Sequence, residues 1–174
     1  MAEKRSIRIF NLIAPIYGLF FTYQKNRYSK NLEAMQGKLD LSNYHSIIDV
    51  GCGTGALCNV LGTLGLKVTG VDSASRMLSI AKQKTNNPNI AFYEADLLQG
   101  CSFKDNQFDI AIASYVAHGI EREQRKKLYR EMSRIARHLV IIHDYNQRRS
   151  VMTSLIEWLE GGDYFHFINH AETE

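Results

Sequence analysis

The chain is poor in cysteine and proline, and this scarcity excludes several classes of protein. Its 174 residues include three cysteines, which are scattered and form no Cys-x-x-Cys pair. The sequence therefore predicts neither a zinc site nor a disulfide framework, and we expect no bound metal. Reduced thiols of this kind are typical of the cytoplasm, where we expect the protein to be found. Prolines stand only at positions 15 and 88, so the middle of the chain is free to form regular secondary structure.

The chain also lacks a long apolar run and a strong excess of either charge. Its most apolar window, residues 9–21, contains Asn11 and Pro15 and is shorter than the roughly 20 residues that a membrane span needs. The formal net charge of +3 is too small to indicate nucleic acid as a partner. The densest basic segment, residues 122–137, is interleaved with glutamates, and a solvated helix face is its simplest explanation. We therefore expect neither an integral membrane span nor a nucleic-acid surface.

From residue 46 onward, short apolar runs alternate with helical patterns. The apolar runs predict five strands, at residues 46–51, 67–72, 90–96, 108–116 and 138–145. Apolar residues at helical spacing predict helices at 56–65, 73–85 and 121–136, the second of them capped by its opening serines. This alternation predicts right-handed βαβ units, and hence an α/β fold with a doubly wound, mainly parallel sheet covered by helices on both faces.

The segment before residue 44 has a different pattern. Tyr28, Leu32, Met35 and Leu39 recur at helical spacing and predict an amphipathic helix over residues 23–39. Such a helix would pack on the sheet or over a ligand cleft. We expect one domain over residues 1–174. It would comprise an N-terminal helical cap (1–43), a ligand-binding core (44–146) and a C-terminal helix and tail (147–174).

The most informative segment is the loop IIDVGCGTG, which carries three glycines at alternate positions directly after the first strand. A turn of this kind lets a ligand approach bare backbone and presents the N–H groups of the following helix. Asp72, at the end of the second strand, can accept hydrogen bonds from both hydroxyls of a ribose. Asp96, at the end of the third strand, can accept one from an amino group on a base. Together these residues indicate a ligand that contains adenosine.

Two kinds of adenosine ligand fit the glycine spacing. The pattern Gly51-x-Gly53-x-x-Ala56 also matches the dinucleotide fingerprint, which keeps a nicotinamide-dependent oxidoreductase open as an alternative. Asp49 favours the other ligand, because a carboxylate beside the loop repels a pyrophosphate but attracts the ammonium and sulfonium of S-adenosylmethionine. The oxidoreductase is further disfavoured because the sequence has no Tyr-x-x-x-Lys pair.

Three segments in register resemble the class I S-adenosylmethionine-dependent methyltransferases: IIDVGCGTG, VTGVDSASRMLSIAK and AFYEADL. The resemblance covers about residues 44–145 and implies the strand order 3-2-1-4-5. It implies that the glycine loop holds the methionine part of the cofactor, that the second strand's end holds the ribose and the third strand's end the adenine, and that the fourth strand's end lines the methyl group. The implied cofactor-binding residues are Asp49, Gly51, Cys52, Gly53, Gly55, Asp72, Ser73, Met77, Asp96, Leu97, Ser114 and Tyr115.

Residues after the fourth and fifth strands are candidates for contact with the methyl acceptor. The candidate catalytic residues are His118, His143 and Tyr115. His118 is a candidate base for an acceptor hydroxyl or amine, and a packed loop histidine is the alternative. Side chains alternate along a strand, so His143 and Tyr145 share one face and Asp144 takes the other. The candidate substrate-binding residues are Tyr17, Tyr115, His118, His143 and Tyr145.

The opening segment FNLIAPIYG resembles the N-terminal segment of the quinone-methylating branch, where it forms part of the cleft wall. The usual Tyr-Asp pair of that branch is Tyr17-Gly18 here. An apolar wall favours an uncharged or weakly polar acceptor. The residues expected to form this wall are Phe10, Ile13, Ile16, Tyr17 and Phe20.

The chain after the fifth strand is too short for the two further strands of the family, so we expect strands 6 and 7 to be absent or incomplete. An apolar fifth strand near the sheet edge is an association hazard. We therefore expect either a C-terminally shortened form of a longer protein, or a partner chain over the edge, such as a second copy in a homodimer.

The expected function is transfer of a methyl group from S-adenosylmethionine to a small-molecule acceptor by in-line displacement. Such a step depends mainly on positioning and a dry site, so an obvious catalytic dyad is not required. A further alternative is a binding or regulatory module that keeps the methyltransferase fold without turnover.

Overall fold

The computed structural model describes residues 2–35 and 37–144. Five parallel strands form one sheet in the order β3-β2-β1-β4-β5, which confirms the predicted architecture. The strands are β1 (Ser46–Val50), β2 (Lys67–Asp72), β3 (Ile90–Glu94), β4 (Phe108–Ser114) and β5 (Ala136–His143). The predictions for strands 6 and 7, for the C-terminal helix and tail and for Tyr145 lie outside the described residues.

Helices cover both faces of the sheet. They are α1 (Ala2–Leu19), α2 (Phe21–Met35), α3 (Ala56–Thr63), α4 (Ser75–Lys84) and α5 (Arg122–Ile135). Short 3-10 turns lie at Leu41–Asn43, Leu97–Gln99 and Ala117–Gly119. In the part of the chain that is described, no helix combines the length and hydropathy required to cross a bilayer.

Helix α2 ends earlier than the sequence pattern predicts. Leu39, the last apolar residue of the predicted stripe, follows a turn in which Gly37 has a φ of +92°. The carbonyl of Met35 accepts hydrogen bonds from the N–H groups of Lys38 and Leu39, at 2.9 and 3.0 Å. A left-handed glycine just past the last helical residues is a common way to end a helix.

The sheet separates two large core clusters, because successive residues of β1 point to opposite faces. A smaller buried cluster lies between α1 and α4. Ile47 packs with Leu57 and Leu61 of α3, whereas Ile48 and Val50 belong to the cluster that also holds the apolar residues of α5. Leu61 is fully buried, so truncating it to alanine should cost about 2–5 kcal/mol of stability. The sheet is thus fixed from both sides, and its carboxyl edge carries the site.

The start of helix α4 differs from the sequence prediction of a serine cap. Its N-cap is Ala74, which offers no side-chain hydrogen bond. Instead, the side-chain oxygen of Asn11, on α1, accepts a hydrogen bond from the backbone N–H of Arg76 at 2.9 Å. This N–H is one of the donors that the helix itself leaves unpaired. The cap of α4 is therefore supplied by another helix, 65 residues away in sequence.

The basic segment 122–137 is only partly a solvated face. Arg125 is fully buried in α5, and its guanidinium donates a hydrogen bond to the backbone carbonyl of Ile120. Lys126 and Arg130, on the same helix, are exposed. Lys126 donates a hydrogen bond to the Glu123 carboxylate, and Arg130 donates one to the backbone carbonyl of Lys126. The sequence pattern could not separate these roles because all three side chains carry the same charge.

Candidate active site

The glycine loop adopts a backbone that side chains rarely allow. Gly51, Gly53 and Gly55 have φ values of +70°, +53° and +78°, all in the left-handed region. A Cβ atom on Gly53 would have no protein atom within 4 Å, so this glycine faces open space. Gly53 is the position in the loop where a ligand can approach the backbone.

The other two glycines are constrained by protein neighbours. A Cβ atom on Gly51 would lie 2.5 Å from the Cγ2 atom of Val116, in the turn after β4. A Cβ atom on Gly55 would lie 2.9 Å from the ring of Phe92 on β3. The glycines therefore serve two purposes: one leaves space for a ligand, and two allow close packing of the loop against strand ends.

The carboxylate of Asp72 joins the glycine loop to the start of α4. One oxygen accepts a hydrogen bond from the Gly53 N–H at 2.8 Å, and the other accepts one from the Ala74 N–H at 2.8 Å. Burial raises the pKa of Asp72, and hydrogen bonds from the backbone N–H groups of Ala74, Gly53 and Ser73 oppose that rise. Each oxygen still has acceptor capacity for a ribose hydroxyl.

Asp49 lies beneath the loop as a buried acid. It occupies the middle of the sheet, paired in register with Gly70 on β2 and Ile112 on β4, and it is 1% exposed. The Cys58 thiol donates a hydrogen bond to its carboxylate at 3.1 Å. Burial raises the pKa of Asp49 to about 7. A nearby cation would stabilise its charged form, which is the chemistry that a ligand ammonium provides.

Two cysteines lie in and under the glycine loop. Cys52 and Cys58 are both buried and both are free thiols. Burial raises the pKa of Cys58 well above its usual value, so it stays protonated and remains a donor to Asp49. Cys52, in the loop itself, packs in the cluster under α3.

The remaining predicted residues of the ribose and adenine sites lie after β3, after β2 and on α4. Asp96 uses one carboxylate oxygen to accept a hydrogen bond from the Leu98 N–H at 2.9 Å, which begins a 3-10 turn. Leu97 buries its side chain in the core, so it can meet a ligand only through its backbone. Met77 is 2% exposed and packs with Ala14 and Ala74 beneath α1. Ser73 is half-buried beside Asp72.

A polar cluster lies where β4 and β5 end. The Ser114 hydroxyl donates a hydrogen bond to the Tyr28 hydroxyl at 3.1 Å and lies 2.7 Å from Nδ1 of His143. Nε2 of His143 lies 3.4 Å from the side-chain nitrogen of Asn31. A proton on Nδ1 satisfies all three contacts, because Ser114 then accepts from His143 and donates to Tyr28. Burial lowers the pKa of His143, which favours this neutral form.

Tyr115 is held in an unusual backbone conformation. Its φ is +57°, which is costly for a bulky residue, and its N–H donates a hydrogen bond to the His143 carbonyl at 2.8 Å. Its ring packs edge-on against the His143 ring at a centroid distance of 4.9 Å. Burial raises the pKa of Tyr115. Strained residues of this kind concentrate at functional sites, since the surrounding structure must maintain them.

His118 is buried rather than exposed at the edge of the cleft. Its Nδ1 atom lies 2.7 Å from one carboxylate oxygen of Asp144. The other oxygen of Asp144 accepts hydrogen bonds from the N–H groups of Ala117 and His118, at 2.9 and 3.3 Å. Asp144 therefore fixes the turn after β4 from the end of β5.

The N-terminal segment does not form a single apolar wall. Phe10, Ile13 and Tyr17 pack against the buried cluster between α1 and α4, whereas Ile16 and Phe20 are more than half exposed. The expectation of one wall built from these five residues is therefore wrong, because α1 presents them on different sides.

A small apolar groove of about 90 Å³ opens beside the polar cluster, between α2 and the ends of β4 and β5. Its polar edge is formed by Tyr28, Asn31 and His143. Whole ligand pockets usually measure about 300–1,000 Å³. This groove is therefore large enough for a substituent of a ligand and too small for a complete one.

The geometry fits a ligand that combines adenosine with a cationic end. An acid lies at each of the three strand ends where ribose, base and ammonium groups would need an acceptor: Asp72, Asp96 and Asp49. The open space at Gly53, whose N–H binds Asp72, lies in the loop after β1, at the carboxyl edge where ligands of doubly wound sheets bind. Fold and site together define a class I S-adenosylmethionine-dependent methyltransferase domain.

Comparison with known proteins supports this class. The model of the methyltransferase domain family matches residues 47–138, which is more than half of the chain. The chain therefore belongs to the methyltransferase domain family, whose cofactor is S-adenosylmethionine. The match confirms the cofactor inferred from the sequence and disfavours the nicotinamide alternative.

Individual relatives are longer than this chain. An uncharacterized protein of Methanocaldococcus jannaschii is 30% identical over 134 residues, which cover 76% of this chain and 48% of that protein. A ubiquinone/menaquinone biosynthesis C-methyltransferase of Campylobacter jejuni is 26% identical over 164 residues, which cover 84% and 66%. The chain thus spans about half to two thirds of the length of these relatives.

A solved structure agrees with the fold. The S-adenosylmethionine-dependent methyltransferase from Mesorhizobium loti is 28% identical and superposes with a TM-score of 0.51, over 60% of this chain and 47% of that one.

Three residues of the polar site are missing from the predicted site residues: Tyr28, Asn31 and Asp144. The sequence pattern places Tyr28 in a packing stripe, and its hydroxyl reaches the end of β4 because α2 crosses that edge. Strand alternation predicts Asp144 on the opposite face from His143, and in the structure its carboxylate pairs with His118. The position of Asp144, an acid at the carboxyl end of β5, is the signal that could have marked it as a site residue.

Proposed function

We propose that this protein transfers a methyl group from S-adenosylmethionine to a small-molecule acceptor by in-line displacement. When bound, the cofactor supplies a methyl group made electrophilic by its sulfonium. The protein must hold that methyl group in line with the acceptor atom and exclude water.

The observation that carries this proposal is the close approach of Gly51 to Val116. It brings the loop that would hold the methionine part directly against the turn after β4. That turn is flanked by Ser114, Tyr115 and His118, and β5 adds His143 beside it. Polar and aromatic side chains thus surround the region where a methyl group would be presented.

The acceptor we infer is uncharged or weakly polar and carries a hydroxyl, an amine or a nucleophilic ring carbon. The rings of Tyr28, Tyr115 and His143 lie close together, with centroids 4.9–6.4 Å apart. They offer an acceptor both aromatic faces and hydrogen-bonding atoms. The adjoining groove is apolar apart from its edge residues. The Campylobacter relative, named for C-methylation in quinone biosynthesis, makes quinols and phenols sensible first candidates.

The geometry favours His143 as the base that takes a proton from the methyl acceptor. Its neutral form leaves Nε2 as the accepting nitrogen, with a long contact of 3.4 Å to Asn31. His118 is the second candidate, and we assign it to positioning, because Asp144 binds both its ring and its backbone. Tyr115 would orient the acceptor through its ring.

The test is turnover. Purified protein and S-adenosylmethionine are incubated with a panel of phenols, quinols, amines and carboxylic acids, and S-adenosylhomocysteine is quantified. We expect product with at least one phenol or quinol. The His143→Gln variant should lower kcat and flatten its pH dependence, whereas His118→Gln should lower kcat without flattening it. Cofactor binding with no turnover across the panel would favour the alternative of a binding module.

A further inference from the structure

The outer side of α1 and the start of α2 form an apolar strip. Leu12 and Leu19 are 73% and 83% exposed, and Ile16, Phe20 and Tyr23 are each more than half exposed. Leu12, Ile16 and Leu19 share one side of α1, since residues three, four and seven apart share a helix face. Phe20 follows in the turn to α2, and Tyr23 lies in the first turn of that helix. Exposed apolar surface of this extent marks a contact site.

The opposite side of α1 is already used. Ala14 is fully buried, and Gly18 lies against Ile80, where an added Cβ atom would come within 3.3 Å. Helix α1 is thus apolar on both its inner and its outer side. An apolar helix face is normally covered by a partner surface. The contact with α4 accounts for the inner side, and within residues 2–35 and 37–144 the strip stays exposed.

The charge around the strip has one sign. Residues 4–32 contain six basic residues and no acidic residue. Arg8, Arg27 and Lys30 are exposed, and the Lys25 ammonium lies 5.9 Å from the centre of the Phe21 ring. A surface that binds this strip must therefore tolerate or neutralise several positive charges.

We propose that the strip docks on an anionic lipid surface. An amphipathic helix with apolar and aromatic residues on one side and flanking Lys and Arg lies in the membrane interface, with its apolar face about 5–10 Å deep. Aromatic side chains such as Phe20 and Tyr23 are favoured at that depth. Each basic residue near an anionic surface adds to the attraction.

The charge argues against a second copy of this chain as the occupant. An isologous contact through the strip would bring two positively charged segments together. It would place Arg8, Arg27 and Lys30 of each copy near those of the other. An anionic bilayer instead pairs the apolar strip with hydrocarbon and the basic residues with phosphates.

Docking would also orient the site. The inner side of α1 packs on Met77 of α4, and the Asn11 side chain caps that helix. Helix α4 begins two residues beyond Ser73, beside Asp72. The lipid surface would therefore lie on the other side of α1 from the cofactor-binding edge. The proposal is independent of methyl transfer, because docking requires no turnover.

The experiment is co-sedimentation of the full chain with vesicles of phosphatidylcholine, or of phosphatidylcholine mixed with phosphatidylglycerol. We expect binding to the mixed vesicles, weakened as salt is raised. The double variant Leu19→Gln/Phe20→Gln should bind at least about tenfold more weakly. The matched control is Leu64→Gln/Tyr93→Gln, which alters two residues of 55% and 54% exposure elsewhere and should bind like wild type.

A second pair of variants tests the charges. Arg8→Glu/Lys30→Glu should weaken binding to the mixed vesicles by about tenfold, and the control Lys104→Glu/Lys127→Glu should weaken it much less. Thermal melting establishes that each variant is folded. The proposal is overturned by absence of binding or by equal binding to both vesicle types. It is equally overturned by a dimer, seen by light scattering, that Leu19→Gln/Phe20→Gln dissociates.

Discussion

The carboxylate of Asp72 accepts a hydrogen bond of 2.8 Å from the backbone N–H of Gly53, 19 residues earlier in the chain. The same carboxylate accepts one from Ala74 at the start of α4. One side chain thus holds together the two segments that the family uses for the methionine and ribose parts of the cofactor. Its removal should affect cofactor binding more than the core.

Replacing Asp72 with alanine should weaken binding of S-adenosylmethionine by about 1.5–3 kcal/mol, as expected for loss of hydrogen bonds to a charged group. Calorimetry of wild type and variant measures the difference. Asp105→Ala is a suitable control, because Asp105 is exposed and pairs with Arg134 away from the loop. Equal affinities of the Asp72 variant and wild type would remove Asp72 from the ribose site.

A comparison of Gly53 with Gly65 distinguishes the loss of space for a ligand from the effect of backbone strain. Gly53 and Gly65 both have left-handed φ values, +53° and +85°, and a Cβ atom on either would meet no protein atom within 4 Å. Alanine at either position should therefore cost a similar amount of stability, about 1–2 kcal/mol. Only Gly53→Ala should reduce cofactor affinity, as measured by calorimetry. A loss of affinity in Gly65→Ala as large as in Gly53→Ala would refute this assignment.

Gly55 should behave differently from Gly53. A Cβ atom on Gly55 would lie 2.9 Å from the Phe92 ring and 3.0 Å from the Ala81 Cβ. Gly55→Ala therefore combines strain with overpacking and should lower stability by several kcal/mol, about 2–5 in total. Chemical denaturation would detect the difference. Similar unfolding midpoints for the Gly53 and Gly55 variants would argue against the packing described.

The buried acid Asp49 makes stability depend on pH. Its pKa is raised from 3.8 to about 7 by burial, so the folded state binds a proton that the unfolded state has released. The free energy of unfolding should therefore fall, through this group, as the pH rises from about 4 to about 7. The total is on the order of 4 kcal/mol, at about 1.4 kcal/mol per pH unit.

The Asp49→Asn variant isolates that contribution. Relative to wild type, it should become progressively more stable between pH 4 and 7, because it has no carboxyl to ionise. Wild-type affinity for S-adenosylmethionine should rise over the same range, whereas that of the variant should be flat. Denaturation and calorimetry at several pH values measure both. A stability difference that does not change with pH would show that Asp49 titrates normally.

The His118–Asp144 pair should be energetically coupled. Both side chains are buried, at 6% and 4% exposure, so a double-mutant cycle with His118→Gln and Asp144→Asn should give a coupling energy of about 0.5–3 kcal/mol. The exposed pair Lys126–Glu123 is the control, and its coupling should be about 0.3–0.5 kcal/mol. Coupling no larger than in the control would mean that Asp144 holds the turn through its backbone contacts alone.

The sheet could be predicted from sequence because each strand is a short apolar run, and a helical pattern follows the first, second and fourth of them. The glycine spacing and the acids at strand ends similarly indicated the cofactor. Local signals failed where a contact comes from a distant segment. The cap of α4 is Asn11 on α1, and the partner of His118 is Asp144 at the end of β5.

The N-terminal residues show a second limit of sequence reasoning. Phe10 and Phe20 are equally apolar, but one packs toward α4 and the other is exposed. The apolar pattern does not show which of the two apolar sides of α1 faces the protein. That choice depends on Ala14 and Gly18, whose small size allows close approach to α4.

Calorimetric titration with S-adenosylmethionine, S-adenosylhomocysteine and NAD tests the central claim most directly. We predict saturable binding of the first two ligands, abolished or strongly weakened in Gly53→Ala and retained in Gly65→Ala, and no measurable binding of NAD. Tight binding of NAD with no response to S-adenosylmethionine would contradict the account.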